Sequence, residues 1–304
     1  MERFKVGIIG AGHIARKMAH TLRDMEGVES YAVASRNLEN AEGFAREWGF
    51  TRAYGSYEEL AGDPEVQLIY IATPHSHHFE QAQMCLEKGK PVLCEKAFTA
   101  NAGQAEALIR LSKEKQVFLT EAIWTRYMPF SETLRELVDG GTIGRVMMLT
   151  ANIGYPIAEK ERIARPELCG GALLDIGVYP INFARMLFGS EMCIRDSHRM
   201  AVLQMTAFCA NDRQGVISGD KGYIIVDNIN NPQQAIIYSI NHEEVARYTC
   251  PPQITGFEYQ VQASIDAIRE GKIETPYMPH TETLHIMQML DDLREEWGVR
   301  YPMD

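Results

Sequence analysis

The sequence predicts an α/β protein: a doubly wound parallel sheet over residues 1–123, followed by an α+β domain over 124–304 built on a mostly antiparallel open sheet. Three observations carry this expectation. Apolar runs in the first part of the chain are continuous rather than alternating, which marks strands buried on both faces. Helical patterns separate these runs, the signature of repeated β-α-β units. After Trp124 the runs shorten and are punctuated by Gly, Asn and Asp, as strands joined by tight turns are.

In chain order, "FKVGIIG", "VESYAVAS", "VQLIYIAT", "PVLC" and "VFLT" are the expected parallel strands. "NLENAEGFAREWG", "FEQAQMCLEKG" and "NAGQAEALIRLSKEK" are the helices between them. The glycines of "EWGF" and "EKGK" stand where those helices should stop. In the second domain a helix at "SETLRELVDGG" leads to a long strand, "GRVMMLTANIGYP", and then to a helix, "GALLDIGVYPINFARMLFG". Short strands at "MAVLQMTAFCA", "GVISG", "GYIIVDN" and "QAIIYS" follow, and a helix pair ends at "LREEWGVRYP". Residues 190–199 fit neither periodicity.

Composition narrows the function classes. The chain has 304 residues, 45% hydrophobic and 23% charged, with a formal net charge of −11 and a pI near 5.4. That balance argues against nucleic acid or an anionic membrane as a partner. No apolar run approaches about 18 residues, and "MERFKVGIIG" enters a strand at once, so neither a membrane span nor a signal peptide is expected. The six cysteines are scattered without C-x-x-C spacing, which suits reduced thiols and a cytoplasmic protein.

"KVGIIGAGHIA" runs from the first strand through Gly10, Ala11, Gly12, His13, Ile14 and Ala15 into a helix. This G-x-G-x-x-A spacing gives a tight turn at Gly10, a close approach to a diphosphate at Gly12, and close helix packing at Ala15. The helix N-terminus adds unpaired N–H groups and the positive end of its dipole. Between a first strand and a first helix, the pattern predicts a dinucleotide site. At the end of the second strand an acidic residue would hold the ribose of NAD; here Ser35 and Arg36 stand instead. A hydroxyl and a guanidinium suit a 2′-phosphate, so NADP is expected, with NAD also possible.

In "KPVLCEKAFTAN" the fifth strand ends in Glu95 and Lys96. Ligands bind beyond the carboxyl ends of parallel strands, so Lys96 should face the cofactor crevice. A partly desolvated lysine there suits proton exchange with a carbonyl or hydroxyl; an ordinary Glu95–Lys96 surface ion pair is the alternative. His75, His77 and His78 read as a polar turn rather than a metal site, and no metal is expected. Tyr155, at the end of the long strand, reads as a packing residue.

The chain resembles the Gfo/Idh/MocA oxidoreductases over nearly its whole length, through "GIIGAGHIA", "ATPHSHH", "VLCEKAF" at the family's E-K-P position, and "GGALLDIGVYP". "EAIWTRYMP" is similar to the dimeric dihydrodiol dehydrogenase and NADP-linked xylose dehydrogenase branch. The resemblance implies a Rossmann first domain, Lys96 at the reacting oxygen, and Asp175 with Tyr179 as the substrate-side pair; their i and i+4 spacing sets both on one helix face. It also implies Thr73, Pro74 and His78 beside the nicotinamide, Trp124 and Arg126 along the pocket, and a homodimer formed through the C-terminal sheet. The expected substrate is a small sugar, polyol or cyclic diol. Two rivals use similar scaffolds: NAD-dependent glycoside hydrolases that oxidise transiently, and cofactor-sensing regulators, which dispense with the lysine.

The chain departs from the family twice. Ala97 replaces the usual Pro after the lysine, a bond the family commonly holds cis. The cis form costs about 3 kcal/mol more without proline, so both isomers stay open. "SEMCIRDSH" stands where the family carries further residues, including a sheet strand. It resembles translated sequencing-adapter read-through, and one strand is expected to be missing near 190–199.

Overall fold

The structure, a computed structural model, describes residues 3–189 and 199–304. Two compact units divide the chain: residues 1–124, 166–169 and 253–304 form the first, and residues 125–165 and 170–252 the second.

The first unit holds six parallel strands: β1 (Phe4–Ile9), β2 (Val28–Ala34), β3 (Arg52–Tyr54), β4 (Leu68–Ile71), β5 (Val92–Glu95) and β6 (Leu119–Ala122). Their order is β3-β2-β1-β4-β5-β6, so the strand sequence reverses direction beside β1, the switch point where such sheets bind ligands. Every residue of β4, β5 and β6 is buried, as the continuous apolar runs require. The connecting helices are α1 (His13–Asp24), α2 (Leu38–Trp48), α3 (Tyr57–Gly62), α4 (His78–Glu87) and α5 (Ala102–Lys115). Asn37 and Asn101 cap α2 and α5 by accepting from the Asn40 and Gln104 amides. The α2 helix stops at Gly49, as expected.

The second unit begins with α6 (Pro129–Asp139), β7 (Val146–Gly154) and the short α7 (Glu161–Ala164). A single π-helical stretch, Leu173–Gly177, then runs directly into α8 (Val178–Phe188). Pro180 explains the widening. In an uninterrupted α-helix its ring would meet the carbonyl of residue 176, and its missing N–H would leave a carbonyl unpaired. Five more strands follow: β8 (Met200–Thr206), β9 (Gly215–Gly219), β10 (Gly222–Val226), β11 (Gln234–Ser239) and β12 (Glu244–Thr249). The sheet order is β12-β11-β10-β9-β7-β8; all pairs are antiparallel except β7 with β8. Helix α8 packs on β7 and β8. The expected loss of a strand near 190–199 lies outside the described residues except for Arg199.

The last segment carries α9 (Glu258–Arg269) and α10 (His280–Trp297). The division into 1–123 and 124–304 expected from sequence differs here, because this segment packs with the first unit. The Leu119 N–H donates to Ile273 O (2.9 Å), the His280 ring meets Leu119 O (2.8 Å), and Asp291 accepts from the first amide of α5 (2.7 Å). No composition shift at residue 253 announces this return.

Candidate active site

The turn after β1 has the conformation its glycines permit. Gly10 has φ +101°, and a Cβ there would lie 2.8 Å from the Ala72 carbonyl oxygen, so only glycine fits. Gly12 is different: it caps α1 at φ −85°, and an added Cβ would meet nothing within 4 Å. The first turn of α1 carries no acidic residue, and no side chain caps its amides. Those N–H groups therefore face a cleft of about 880 Å³ ready for an anion. Gly10, Gly12, Ser35, Arg36, Thr73 and Pro74 all line this cleft. Arg16 and Tyr57 line it as well; neither was singled out from sequence. Tyr57 lies near enough to Arg36 for the guanidinium to oppose the rise that burial imposes on the phenol. Of the other turn residues, His13 is exposed, Ile14 is half-buried, and Ala15 lies fully buried against the sheet.

At the end of β5 a carboxylate is buried on purpose. Glu95 is 5% exposed. The Tyr70 hydroxyl of β4 donates to Glu95 Oε1, and the Lys96 amide donates to Oε2 (3.2 Å). Burial pushes the Glu95 carboxyl above the ordinary carboxylate range, while Lys96, the Tyr70 hydroxyl, the Lys96 amide and Lys17 pull it back. Through Val92–Ala100 every side chain is buried except that of Lys96, which is half-exposed. The Lys96–Ala97 peptide is cis.

His78 sits behind this turn. Its Nδ1 is 2.9 Å from Ala97 O and its Nε2 is 2.9 Å from Thr73 O. Burial pushes the imidazole down to about 4, so the ring is neutral near pH 7 and its single N–H donates to one of the two carbonyls. Fully buried, His78 braces the Thr73 turn against the Lys96–Ala97 turn from below and does not line the cleft.

Trp124 is 4% exposed because Phe257 covers it, with ring centroids 4.9 Å apart. The Lys17 ammonium of α1 lies 4.2 Å from the Trp124 ring centroid and 4.0 Å from that of Phe257. Next to this ring pair, the Glu258 carboxylate accepts from the Ile254, Thr255 and Gly256 amides at 2.6, 3.0 and 2.7 Å. The Thr255 and Thr21 hydroxyls bond at 2.6 Å, tying this loop to α1. Lys17, Phe257 and Glu258 were not foreseen. The only signal for Lys17 is its place three residues after Ile14, on the helix face that follows the glycine turn.

In the second unit Asp175 is 4% exposed and is held by Arg162, whose Nε and Nη2 donate to its two oxygens at 3.2 and 3.1 Å. Tyr179, 8% exposed, follows in the first turn of α8. The expected single helix face survives the change of helix type, since a π turn of about 4.4 residues keeps i and i+4 within roughly 40°. Arg126 Nε donates to Asn182 Oδ1 (2.6 Å), fixing it to α8. The Tyr155 hydroxyl accepts from Arg213 (3.0 Å) and Asn230 (2.9 Å). The first unit thus gathers the glycine turn, Ser35, Arg36 and Thr73 at one cleft, with Glu95, Lys96, His78 and Trp124 around the ends of β5 and β6. The second gathers Asp175 and Tyr179 on one helical segment, with Arg126 bonded to that segment through Asn182.

Comparison with known proteins agrees with this architecture. Residues 4–123 match the family model described as the Gfo/Idh/MocA oxidoreductase family, NAD-binding Rossmann fold. Residues 131–195 match the Gfo/Idh/MocA C-terminal domain. The chain is 32% identical to trans-1,2-dihydrobenzene-1,2-diol dehydrogenase of Xenopus tropicalis, covering 98% of this chain and 99% of the relative. It is 31% identical to the human enzyme of the same name, with 98% of each covered. Among solved structures, KijD10, a 3-ketoreductase from Actinomadura kijaniata crystallised with TDP-benzene and NADP, superposes with a TM-score of 0.83. Identity is 24%, and 95% of this chain and 96% of that chain are covered. Levoglucosan dehydrogenase, crystallised with NADH and L-sorbose, gives a TM-score of 0.82 at 19% identity, with 98% of this chain and 97% of that chain covered.

Proposed function

Because the chain belongs to the Gfo/Idh/MocA oxidoreductase family, we propose that it is an NADP-dependent dehydrogenase acting on a hydroxyl-bearing carbon of a small sugar, polyol or cyclic diol. The observation that carries this reading is Lys96, the one side chain that emerges from the buried stretch Val92–Ala100. Gly10, Ala11 and Gly12 with the first amides of α1 would hold the diphosphate, and Ser35 with Arg36 would hold the 2′-phosphate. The open space above Gly12 and the acid-free first turn of α1 both fit such a group. When bound, the nicotinamide supplies the hydride exchange.

The chain's own residues then manage the proton. Lys96 Nζ takes the proton of the substrate hydroxyl as the carbon is oxidised and returns it in the opposite direction. In the second unit, Tyr179 and Asp175, the latter oriented by Arg162, would serve the substrate's hydroxyls, as the family resemblance implies. Reduction of NADP+ by trans-1,2-dihydrobenzene-1,2-diol or D-xylose tests the reading. Turnover in the wild type, its loss in Lys96→Ala and an unchanged NADPH affinity in that variant are expected; full activity in Lys96→Ala would defeat the role. Glycoside cleavage without net NADPH formation would instead favour a transiently oxidising hydrolase.

The second unit's sheet supports a homodimer. On the face opposite α8, Met200 and Val202 of the edge strand β8 are 57% and 39% exposed, and Tyr223 stacks on Tyr238 with centroids 5.0 Å apart. A broad apolar face of this kind fits a second copy of the chain. Light scattering should give a dimer, and Val202→Lys should shift it toward monomer.

A further inference from the structure

At one edge of the second unit's sheet, three polar side chains from three loops converge, and the reaction proposed above uses none of them. Tyr155 follows β7, Arg213 precedes β9, and Asn230 lies between β10 and β11. The pairs β7–β9, β9–β10 and β10–β11 are antiparallel, so all three connections emerge at the carboxyl end of β7. The segment carrying Asp175 meets the same edge. A Cβ on Gly177 would collide with Met205, the penultimate residue of β8, which runs parallel to β7.

The cluster is closed on one side and open on the other. The Tyr155 hydroxyl accepts from Arg213 Nη1 at 3.0 Å and from Asn230 Nδ2 at 2.9 Å. The guanidinium carbon stands 5.2 Å from the Tyr155 ring centroid. With two donors on its oxygen, the phenol keeps its own proton for another acceptor, and none meets it among the described residues. Nor does any partner among them meet Nε and Nη2 of Arg213, the edge that forms a two-pronged donor.

Three features would be unfavourable if the cluster only braced its loops. Arg213 has φ +56°, a conformation that strains a residue with a side chain. Asn230 holds the phenol while its own Oδ1 stays buried without a partner. The chain has 41 acidic against 30 basic side chains, yet this half-buried guanidinium pairs with no carboxylate among the described residues. A neutral donor would close the same corner without a charge to desolvate.

We propose that Tyr155, Arg213 and Asn230 form an oxyanion-binding site. The Nε–Nη2 edge of Arg213 takes a carboxylate or phosphate in a bidentate grip, the Tyr155 hydroxyl donates to the same group, and Asn230 holds the phenol in place. The proposal rests on the dehydrogenase reading for the remainder of the ligand and narrows its substrate class: the preferred substrate is a sugar acid or a sugar phosphate. A neutral sugar leaves the guanidinium edge unfilled and binds more weakly.

Phenylglyoxal modification of the wild-type protein, read by peptide mass spectrometry, tests the site without turnover and without a variant. D-Galacturonate or D-glucose 6-phosphate, in several-fold excess over its dissociation constant, should slow modification of Arg213 by about fivefold or more. Neutral D-galactose and D-glucose should leave it unchanged, and exposed Arg110 should react at one rate throughout. Protection by galacturonate alone assigns a carboxylate and by glucose 6-phosphate alone a sugar phosphate; protection by both supports a general oxyanion site. Protection by the neutral sugars, by inorganic phosphate alone, or by none of these probes overturns the proposal. In Arg213→Gln the KM for the protecting sugar should rise about 10- to 100-fold, with NADPH affinity and the KM for D-xylose unchanged. Tyr155→Phe should give a smaller rise, and Arg213→Lys should recover part of the loss. An unchanged KM in folded Arg213→Gln overturns the proposal; if that variant does not fold, the wild-type protection pattern decides. Protection of Arg213 without NADPH formation from any sugar would overturn the dehydrogenase reading instead and leave the oxyanion site standing.

Discussion

The two glycines of the β1–α1 turn make opposite predictions, although the motif treats them alike. Gly10→Ala forces a side chain into φ +101° and sets its Cβ 2.8 Å from the Ala72 carbonyl. Backbone strain of about 1–3 kcal/mol and overpacking against main chain of about 1–3 kcal/mol add to roughly 2–6 kcal/mol of lost stability. That is a large part of the ~5–15 kcal/mol that holds a typical domain together. Gly12→Ala keeps an ordinary φ of −85° and meets nothing within 4 Å, so its stability cost is about 0.5–1 kcal/mol, the loss of a tolerable N-cap. Its methyl group, however, enters the space where a diphosphate approaches the α1 amides. NADPH affinity should fall at least tenfold, about 1.4 kcal/mol or more. Urea unfolding and NADPH fluorescence titration on both variants separate the effects. Wild-type NADPH affinity in Gly12→Ala would refute the placement of the diphosphate over this turn, and wild-type stability in Gly10→Ala would refute the strained geometry of the turn itself.

Two further outcomes follow from the same geometry. Arg36→Ala removes a charge-assisted contact worth about 1.5–3 kcal/mol, so NADPH affinity should drop about 10- to 100-fold while NADH affinity changes little; fluorescence titration with both cofactors reads the ratio. His78 predicts a pH dependence of stability. Burial depresses its folded value to about 4 from 6.5, so this stabilisation is complete above pH 6.5. It is lost as pH falls through that window, by up to about 3 kcal/mol. Nitrogen-15 spectra of the histidine rings should show the His78 imidazole, identified by its loss in His78→Gln, still neutral at pH 5, and its titration near 6.5 would remove the buried strut.

Much of the fold was legible because its signals are local. Two-sided burial of β4, β5 and β6 left continuous apolar runs, and Gly10 and Gly12 mark a turn whose backbone geometry demands them. The elements that escaped are those with little to bury. β3 is a three-residue edge strand, and β12 is almost wholly exposed, so neither carries an apolar pattern. The π stretch before α8 was hidden because Pro180 permits several accommodations and sequence does not choose among them. Site residues escaped for a different reason. Arg162 reaches Asp175 across 13 positions, and Lys17 meets Phe257 only because the last segment returns to the first unit. Such pairings are products of tertiary packing, and a single sequence records them nowhere.

The most direct measurement of the proposed chemistry follows deuterium. With NADP+ and trans-1,2-dihydrobenzene-1,2-diol or D-xylose carrying deuterium on the carbon to be oxidised, the wild type should deliver the label to the nicotinamide ring of NADPH, and Lys96→Ala should deliver almost none. Unlabelled NADPH, label released to water, or equal transfer by Lys96→Ala would contradict a dehydrogenase whose proton is carried by the amine at the end of β5.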